Sequence, residues 1–205
     1  MSGHPQLPGE LWTPPAELSD QPQQWPVGSS CRPYDGAFVQ VREDEVRGPT
    51  DEVFTRAVVE HPGAVGVLAL DEDDRVLLLS QYRHAVGQRL LEIPAGILDV
   101  EGEPPQQAAA RELAEEAGVA AHAWQRLLTL WPSPGVSNEH WQVFVARGLT
   151  ALSPQAQAEL PAARHEEADL EIVWVPLAEA VRAVLAGRLC DSMAAAAVLA
   201  VAAGG

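Results

Sequence analysis

The segment GILDVEGEPPQQAAARELAEEAGV, which runs from Gly96 to Val119, contains the pattern that decides the fold. Pro104 and Pro105 suit the first turn of a helix, where backbone N–H groups lack a partner within the helix. Gly118 is a typical helix stop, so the sequence predicts a helix over about 104–117. On a helical wheel that advances about 100° per residue, one face of this helix carries three carboxylates. They are Glu112, Glu115 and Glu116.

The three carboxylates repel one another, and they lie in the C-terminal half of the helix, where the macrodipole disfavours anions. A hard divalent cation with oxygen ligands would offset both costs, and Mg²⁺ typically binds few carboxylates together with the phosphates of a substrate. Arg111, one turn before Glu115, can hold that carboxylate through an i,i+4 ion pair. The alternative is a solvated acidic face, but the acidic, glycine-containing loop before the helix favours a metal site.

This segment resembles the Nudix box, whose pattern is Gly, five residues, Glu, seven residues, Arg-Glu, an apolar residue, any residue, Glu-Glu, any residue, Gly and an apolar residue. Eight positions match in spacing: Glu103, Arg111, Glu112, Leu113, Glu115, Glu116, Gly118 and Val119. Gly96 departs from the pattern, because six residues rather than five separate it from Glu103. The loop therefore has one extra residue, while the register of the helix is kept.

The resemblance to the Nudix family implies hydrolysis of a nucleoside diphosphate linked to another group. It also implies Mg²⁺ as the cofactor, with Mn²⁺ as an alternative. By the same resemblance, the metal ligands are Glu112, Glu116 and the backbone carbonyl of Ala95. Glu115 is close enough to take part in catalysis, and Arg111 is the residue that orients the carboxylates.

The sequence on both sides of the box resembles the ADP-ribose pyrophosphatase branch, particularly its bacterial members. The matching stretches are QYRHAVGQRLLEIPAGILDVEGE and RHEEADLEIVWVPLAEA, and Pro134 follows Val119 by fifteen residues, where that branch has a proline. The resemblance implies hydrolysis of ADP-ribose to AMP and ribose 5-phosphate. Hydrolysis of another nucleoside diphosphate sugar is one alternative. Binding of ADP-ribose without hydrolysis is the other, and the intact box carboxylates argue against it.

The branch resemblance also implies a set of substrate contacts. It makes Arg83 a phosphate ligand, Phe38 a stacking partner of adenine, and Arg56 a residue that acts across a dimer interface. Ile97 and the loop SPGVSNE complete the set. The loop residues concerned are Ser133, Gly135 and Glu139. Each residue has an ordinary alternative, such as a surface arginine, a core phenylalanine or a turn residue.

The general base must lie outside the helix, because the box carboxylates are committed to metal binding. The stretch RHEEADL, after a long polar loop, supplies Glu166 and Glu167 just before a strand. In the resembling branch the second glutamate of this pair is the base, which makes Glu167 the first candidate. Glu166 and Glu139 are the alternatives.

Many strands with one central and two terminal helices predict an α+β or α/β fold. The family resemblance implies an α/β/α sandwich with a mixed β-sheet, together with a small N-terminal antiparallel β-domain. We expect a flexible extension over 1–33, which is rich in proline and glutamine. A β-strand subdomain exchanged between the subunits of a homodimer would follow over 34–62, and the hydrolase domain would span 63–205.

Composition excludes several classes of partner. The formal net charge of −16 argues against nucleic acid and against an anionic membrane surface. The sequence has neither a membrane-spanning run nor a signal peptide, which predicts a cytoplasmic protein. Cys31 and Cys190 are the only cysteines, and they form no disulfide framework or metal-ligand spacing. The expected partners, a nucleoside diphosphate sugar and a second copy of the chain, are those that the branch resemblance implies.

Overall fold

The computed structural model describes residues 2–3, 6–8, 10–13, 17–36, 39–162 and 169–204. The strands are Ser2–Gly3 (β1), Glu10–Leu11 (β2), Val27–Asp35 (β3), Gln40–Arg47 (β4), Val53–Glu60 (β5), Ala64–Ala69 (β6), Arg75–Arg83 (β7), Gln88–Glu92 (β8), Ala95–Ile97 (β9), Val119–Leu130 (β10), Trp141–Ala151 (β11) and Glu171–Pro176 (β12). The helices are Pro105–Ala117 (α1), Pro154–Ala158 (α2), Leu177–Leu185 (α3) and Ser192–Ala202 (α4).

The chain divides into two compact units. The first comprises Met1–Cys31 and Asp44–Arg56, and the second comprises Arg32–Glu43 and Ala57–Gly205. In the first unit, β1 pairs antiparallel with β2, and the ring of Trp25 lies edge-on to that of Phe54, with centroids 6.1 Å apart.

Two sheets form the body of the second unit. Their strand orders are β10-β11-β6-β9 and β12-β7-β8. In the first sheet β6 runs parallel to β11, whereas β10–β11 and β6–β9 are antiparallel, so the sheet is mixed. Every residue of β6 is buried, as expected for a central strand covered on both faces.

Alternation along β6 sends side chains into two hydrophobic clusters, one on each face of the sheet. Val65, Val67 and Ala69 join a cluster with Leu113 and other residues of α1. Ala64 and Leu68 of β6, with Leu70 just after the strand, join a cluster with residues of α3 and α4, including Val198. Helices therefore cover both faces of the mixed sheet, and the predicted α/β/α sandwich is confirmed.

Helix α1 begins and ends where the sequence predicted. Pro105 occupies the first helical position, and Gly118 adopts the left-handed conformation with φ of 64°. Its backbone N–H donates to the carbonyl of Ala114 at 2.9 Å, which satisfies an acceptor at the helix end. The apolar side chains of Ala108, Ala109 and Leu113 are fully buried against the sheet, whereas the three helix carboxylates are only partly buried. The box therefore forms a helix with one core face and one acidic face.

Strand β3 was not predicted, and it forms a three-stranded sheet with β4 and β5. Its sequence, VGSSCRPYD, has no alternation of apolar and polar residues, and all nine residues are exposed. Pairing with β4 rather than burial makes it a strand. Among the described residues, no helix is both long and apolar enough to cross a membrane.

Candidate active site

The acidic face of α1 lies against β9. The backbone N–H of Ala95 donates to Oε2 of Glu116 at 2.9 Å. At Gly96, an added Cβ atom would lie 2.0 Å from Oε1 of Glu112, so only glycine leaves room for that carboxylate. The structure therefore brings together Ala95, Glu112 and Glu116, the three residues that the family resemblance made metal ligands.

Arg111 connects the helix to the loop before it. Its guanidinium donates to both carboxylate oxygens of Glu103, from Nε at 3.2 Å and from Nη2 at 3.1 Å. Its Nη1 donates to Glu112 at 2.7 Å and to Glu115 at 3.4 Å. The hydrogen bonds that Arg111 donates to Glu103, with the charge of Glu112, raise the pKa of Arg111 above its ordinary value. The charge of Arg111 thus offsets the repulsion between the helix carboxylates.

The predicted pairing of Arg111 with Glu115 is present, but it is the longest of these contacts. The sequence did not predict the bidentate ion pair of Arg111 with Glu103, although Glu103 was part of the matched pattern. Eight residues separate the two in the sequence, and the stretch between them contains the end of the loop and the first part of α1, which begins at Pro105. Such a contact depends on how the loop folds back, so helical spacing does not predict it.

The loop before α1 ends in a tight turn. The N–H of Glu103 donates to the carbonyl of Val100 at 3.2 Å, which closes a four-residue turn. Gly102, the third residue of that turn, has φ of 78°. A positive φ at this position is typical of a type II turn and favours glycine. The longer loop therefore leaves Glu103 within reach of Arg111.

A cavity of about 540 Å³ opens beside β9. Six of the sequence-predicted site residues line it: Arg83, Ala95, Ile97, Glu112, Glu116 and Glu139. Its described lining also includes Glu92, Asp191 and His61, which sequence reasoning did not select. Five carboxylates and one guanidinium therefore face this cavity from the described residues.

Arg83 and Glu92 form a bidentate ion pair in the cavity wall. The guanidinium donates from Nε to Oε1 at 2.9 Å and from Nη2 to Oε2 at 2.6 Å. The pKa of Arg83 is raised, chiefly by these hydrogen bonds. Glu92 is buried, and its signal in the sequence was a charged residue inside the apolar stretch RLLEIP.

Asp191 combines two tasks at the cavity edge. Its carboxylate accepts a hydrogen bond from the N–H of Ala194 at 2.7 Å and so caps α4. Burial, and then the charge of Glu92, raise the pKa of Asp191 above its ordinary value. An aspartate directly before an alanine-rich helix is a typical N-cap, so the sequence contained a signal for its place but not for its neighbours.

The loop that contains Ser133, Gly135 and Glu139 is anchored to the end of β5. The N–H of Val59 donates to the carbonyl of Val136 at 2.8 Å, and Asn138 accepts from the N–H of His61 at 2.9 Å. Further along, Nε1 of Trp141 donates to Oε1 of Glu139 at 2.7 Å, which holds that carboxylate at the cavity.

The described structure places only some of the predicted site residues in the lining of this cavity. Ser133 and Gly135 are exposed and, in the described structure, are not part of its lining. Arg56 belongs to the first unit, where its guanidinium lies 4.2 Å from the ring centre of Phe54. Glu115 lines a smaller cavity of about 170 Å³ together with Glu112 and Glu116. Phe38, Glu166 and Glu167 lie outside the described residues.

Comparison with known proteins identifies the family. The profile of the NUDIX domain matches residues 60–193, a range that contains α1, β9 and the cavity. The chain belongs to the NUDIX domain family. An ADP-ribose pyrophosphatase of Mycobacterium tuberculosis is 48% identical over 168 residues, which cover 82% of this chain and 78% of the relative. A Bacillus subtilis ADP-ribose pyrophosphatase is 30% identical over 159 residues, covering 78% of this chain and 82% of the relative.

A solved structure described as an ADP compounds hydrolase has the same fold as this Nudix protein. Its TM-score is 0.74, at 19% sequence identity, and the match covers 91% of this chain and 96% of that one. At this identity the likeness concerns the fold alone, and it supports the mixed sheet between helices.

Hydrolases of the Nudix family generally use divalent metal ions. Within the described ranges, no three side chains of Asp, Glu, His or Cys are grouped closely enough to hold a metal ion. The donors that the family resemblance predicts are two carboxylates, of Glu112 and Glu116, and the backbone carbonyl of Ala95. This set fits a hard cation, because Mg²⁺ needs few protein ligands and completes its coordination with water and substrate phosphates.

Replacing Gly96 by alanine tests whether the close approach of Glu112 to β9 matters. The new methyl group would displace the Glu112 carboxylate, because its Cβ would lie within 2.0 Å of Oε1. We expect hydrolytic activity to fall by about 10- to 100-fold, the usual effect of disturbing the support of a metal ligand. The thermal unfolding midpoint should change little, because a glutamate side chain can move aside. Activity within about threefold of the parent, well below that range, would contradict the interpretation.

Proposed function

We propose that this Nudix protein hydrolyses the pyrophosphate bond of ADP-ribose, releasing AMP and ribose 5-phosphate. The observation that carries the proposal is one cavity in which Glu112 and Glu116 face the same space as Arg83 and Glu139. Carboxylates that suit a metal and a guanidinium that suits a phosphate thus share one cavity. The 48% identity to an ADP-ribose pyrophosphatase over most of the chain supports the choice of substrate.

The proposed cofactor is Mg²⁺, with Mn²⁺ as an alternative. Glu112, Glu116 and the carbonyl of Ala95 would hold it, and Glu115, which lines a smaller cavity together with Glu112 and Glu116, would contribute. When bound, the metal neutralises phosphate oxygens and lowers the pKa of a bound water. Arg111 keeps Glu112 and Glu115 in place through its hydrogen bonds.

The charge of the cavity supports a metal requirement. A diphosphate would meet five carboxylates and only one guanidinium among the described lining residues. Like charges brought together in a binding site disfavour binding unless cations intervene. We infer that substrate and divalent cation bind together, so that removing the cation removes both binding and turnover.

A substrate panel tests the proposal. ADP-ribose, ADP-glucose, GDP-mannose, NADH and diadenosine polyphosphates would each be incubated with Mg²⁺ or Mn²⁺, and the release of nucleoside monophosphate measured. We expect the highest kcat/KM with ADP-ribose and no release in EDTA. A higher value for another nucleoside diphosphate sugar would change the assigned substrate. Tight ADP-ribose binding without hydrolysis would instead favour a binding module.

Replacing either proposed metal ligand should abolish most of the activity. Glu112→Gln and Glu116→Gln keep the size of the side chain but remove its charge, so hydrolysis should fall by at least about 100-fold. The free energy of unfolding should stay near that of the parent, because the loss of carboxylate repulsion compensates the lost ion pairs. Glu101→Gln is the matched control, since Glu101 is exposed in the same loop. Near-normal turnover of both variants at saturating Mg²⁺ would refute the assignment.

We propose Glu167 as the general base, with Glu166 and Glu139 as alternatives. The hydrogen bond from Trp141 to Glu139 supports this order, because it already occupies one oxygen of the Glu139 carboxylate. Glu167→Gln should lower kcat by about 10²–10⁴-fold, the usual contribution of a positioned base, with little change in KM. Glu139→Gln should raise KM more than it lowers kcat. A large loss of kcat in Glu139→Gln, with kcat of Glu167→Gln near that of the parent, would make Glu139 the base.

We also propose a homodimer in which residues 34–62 are exchanged and Arg56 acts across the interface. Large apolar side chains exposed in β3 and β5 support an interface there: Val27, Tyr34 and Val53 are each more than half exposed. Light scattering after size exclusion should give twice the chain mass, because a symmetric dimer is the commonest closed assembly. A fully active monomer at micromolar concentration would contradict this.

The cytoplasmic location and the flexibility of residues 1–33 stay predictions from the sequence.

A further inference from the structure

Glu92 is a buried carboxylate that the hydrolytic chemistry described above does not use. It is the last residue of β8, and only 7% of its surface is exposed. Its partner Arg83 is the last residue of the neighbouring strand β7, and 46% of its side chain is exposed. A buried carboxylate therefore holds a guanidinium whose other side is open to the cavity.

The geometry of the pair fixes the plane of the guanidinium. Both carboxylate oxygens of Glu92 are engaged, by Nε and Nη2 of Arg83 at 2.9 and 2.6 Å. A guanidinium has five N–H groups in a rigid fork, so fixing one edge also fixes the direction of the other. Among the described residues, none accepts a hydrogen bond from Nη1 of Arg83, which leaves that edge for a ligand.

Electrostatics by itself gives Glu92 no favourable role in binding a diphosphate. The cavity already has four other carboxylates in its described lining, and a fifth weakens the attraction for an anion. The benefit of Glu92 must therefore come from orienting Arg83. Because bidentate contacts to phosphate depend on the orientation of the fork, a correctly held guanidinium binds better than a mobile one.

Asp191 is the neighbouring carboxylate that provides a comparison. It lines the same cavity, and its charge contributes to the raised pKa of Arg83. Its carboxylate, however, caps α4 through the N–H of Ala194, and the structure gives it no hydrogen bond to Arg83 among the described contacts. Glu92 and Asp191 thus line the same cavity and both are acidic, but only Glu92 forms hydrogen bonds with the Arg83 guanidinium in the described structure.

We propose that Glu92 is a positioning residue, which holds Arg83 so that its outer N–H edge receives a phosphate oxygen of the nucleoside diphosphate. This inference rests on the proposed function, since it assumes a diphosphate ligand in the cavity. It makes the β7–β8 hairpin, rather than the box helix, the element that recognises phosphate through protein side chains.

The test uses ADP as the probe, with its Kd measured by titration calorimetry in the presence of Mg²⁺, together with KM and kcat for ADP-ribose. Glu92→Gln should raise Kd and KM by about tenfold, the cost of a lost charge-assisted contact, while kcat stays within about threefold. A purely electrostatic role predicts the opposite sign, because the variant removes a negative charge from the cavity. Asp191→Asn is the matched control: it removes the same charge, keeps an N-cap residue, and should leave Kd unchanged or lower it.

A double-mutant cycle tests whether Glu92 acts through Arg83. Arg83→Gln should raise the Kd for ADP at least as much as Glu92→Gln does. The double variant should have the Kd of Arg83→Gln, because Glu92 has nothing left to position. A merely structural role of Glu92 would give an additional increase in the double variant, and that result would overturn the inference.

Unfolding curves of every variant accompany these measurements. If Glu92→Gln does not fold, Glu92→Asp takes its place, because it keeps the buried charge and shortens the side chain by one methylene. A raised Kd for Glu92→Asp supports positioning, whereas a parental Kd overturns it. Failure of the proposed function is separate: ADP would bind with the expected pattern of Kd values, but ADP-ribose would release no AMP.

Discussion

The association of an acidic helix face with the end of β9 is the constraint on which the rest of the site depends. Carboxylates within one helical turn repel each other. They stay together because the Arg111 guanidinium donates hydrogen bonds to Glu112 and Glu115, and also to Glu103 in the preceding loop. The absence of a side chain at Gly96 lets Glu112 approach the strand. On the opposite face, the buried Leu113 fixes the helix to the sheet. Core packing and carboxylate placement are therefore set by one rigid helix.

The same constraint makes the cavity acidic, which shapes how it can bind an anion. Glu112 and Glu116 on one wall repel a diphosphate, so cations must compensate, and Arg83 is the protein's own contribution among the described lining residues. Glu92 fixes the orientation of the Arg83 guanidinium by accepting hydrogen bonds along one of its edges. The helix and the hairpin therefore suit different parts of a ligand. The helix carboxylates are hard oxygen ligands for a metal, and the β7–β8 hairpin presents an oriented hydrogen-bond donor for phosphate.

A third wall of the cavity depends on contacts far apart in the sequence. The loop before β11 is held to the end of β5 by hydrogen bonds that involve Val59, Ser137 and Asn138, and Glu139 is fixed by Trp141. The residues that present Glu139 are thus tied to the strand that leads out of the N-terminal sheet.

The sequence by itself determined the helix from Pro105 to Ala117, its acidic face and the family, because capping signals, helical period and motif spacing are local properties. It also indicated both terminal helices and most strands. Strand β3 escaped detection, since it has no apolar alternation and forms only by pairing. Only the tertiary structure decided that Glu92 forms a bidentate ion pair with Arg83 and that Glu103 forms one with Arg111. It also decided that Asp191 lines the cavity that contains Arg83. These contacts join residues brought together by sheet register and loop closure, and no local spacing encodes the distance between them.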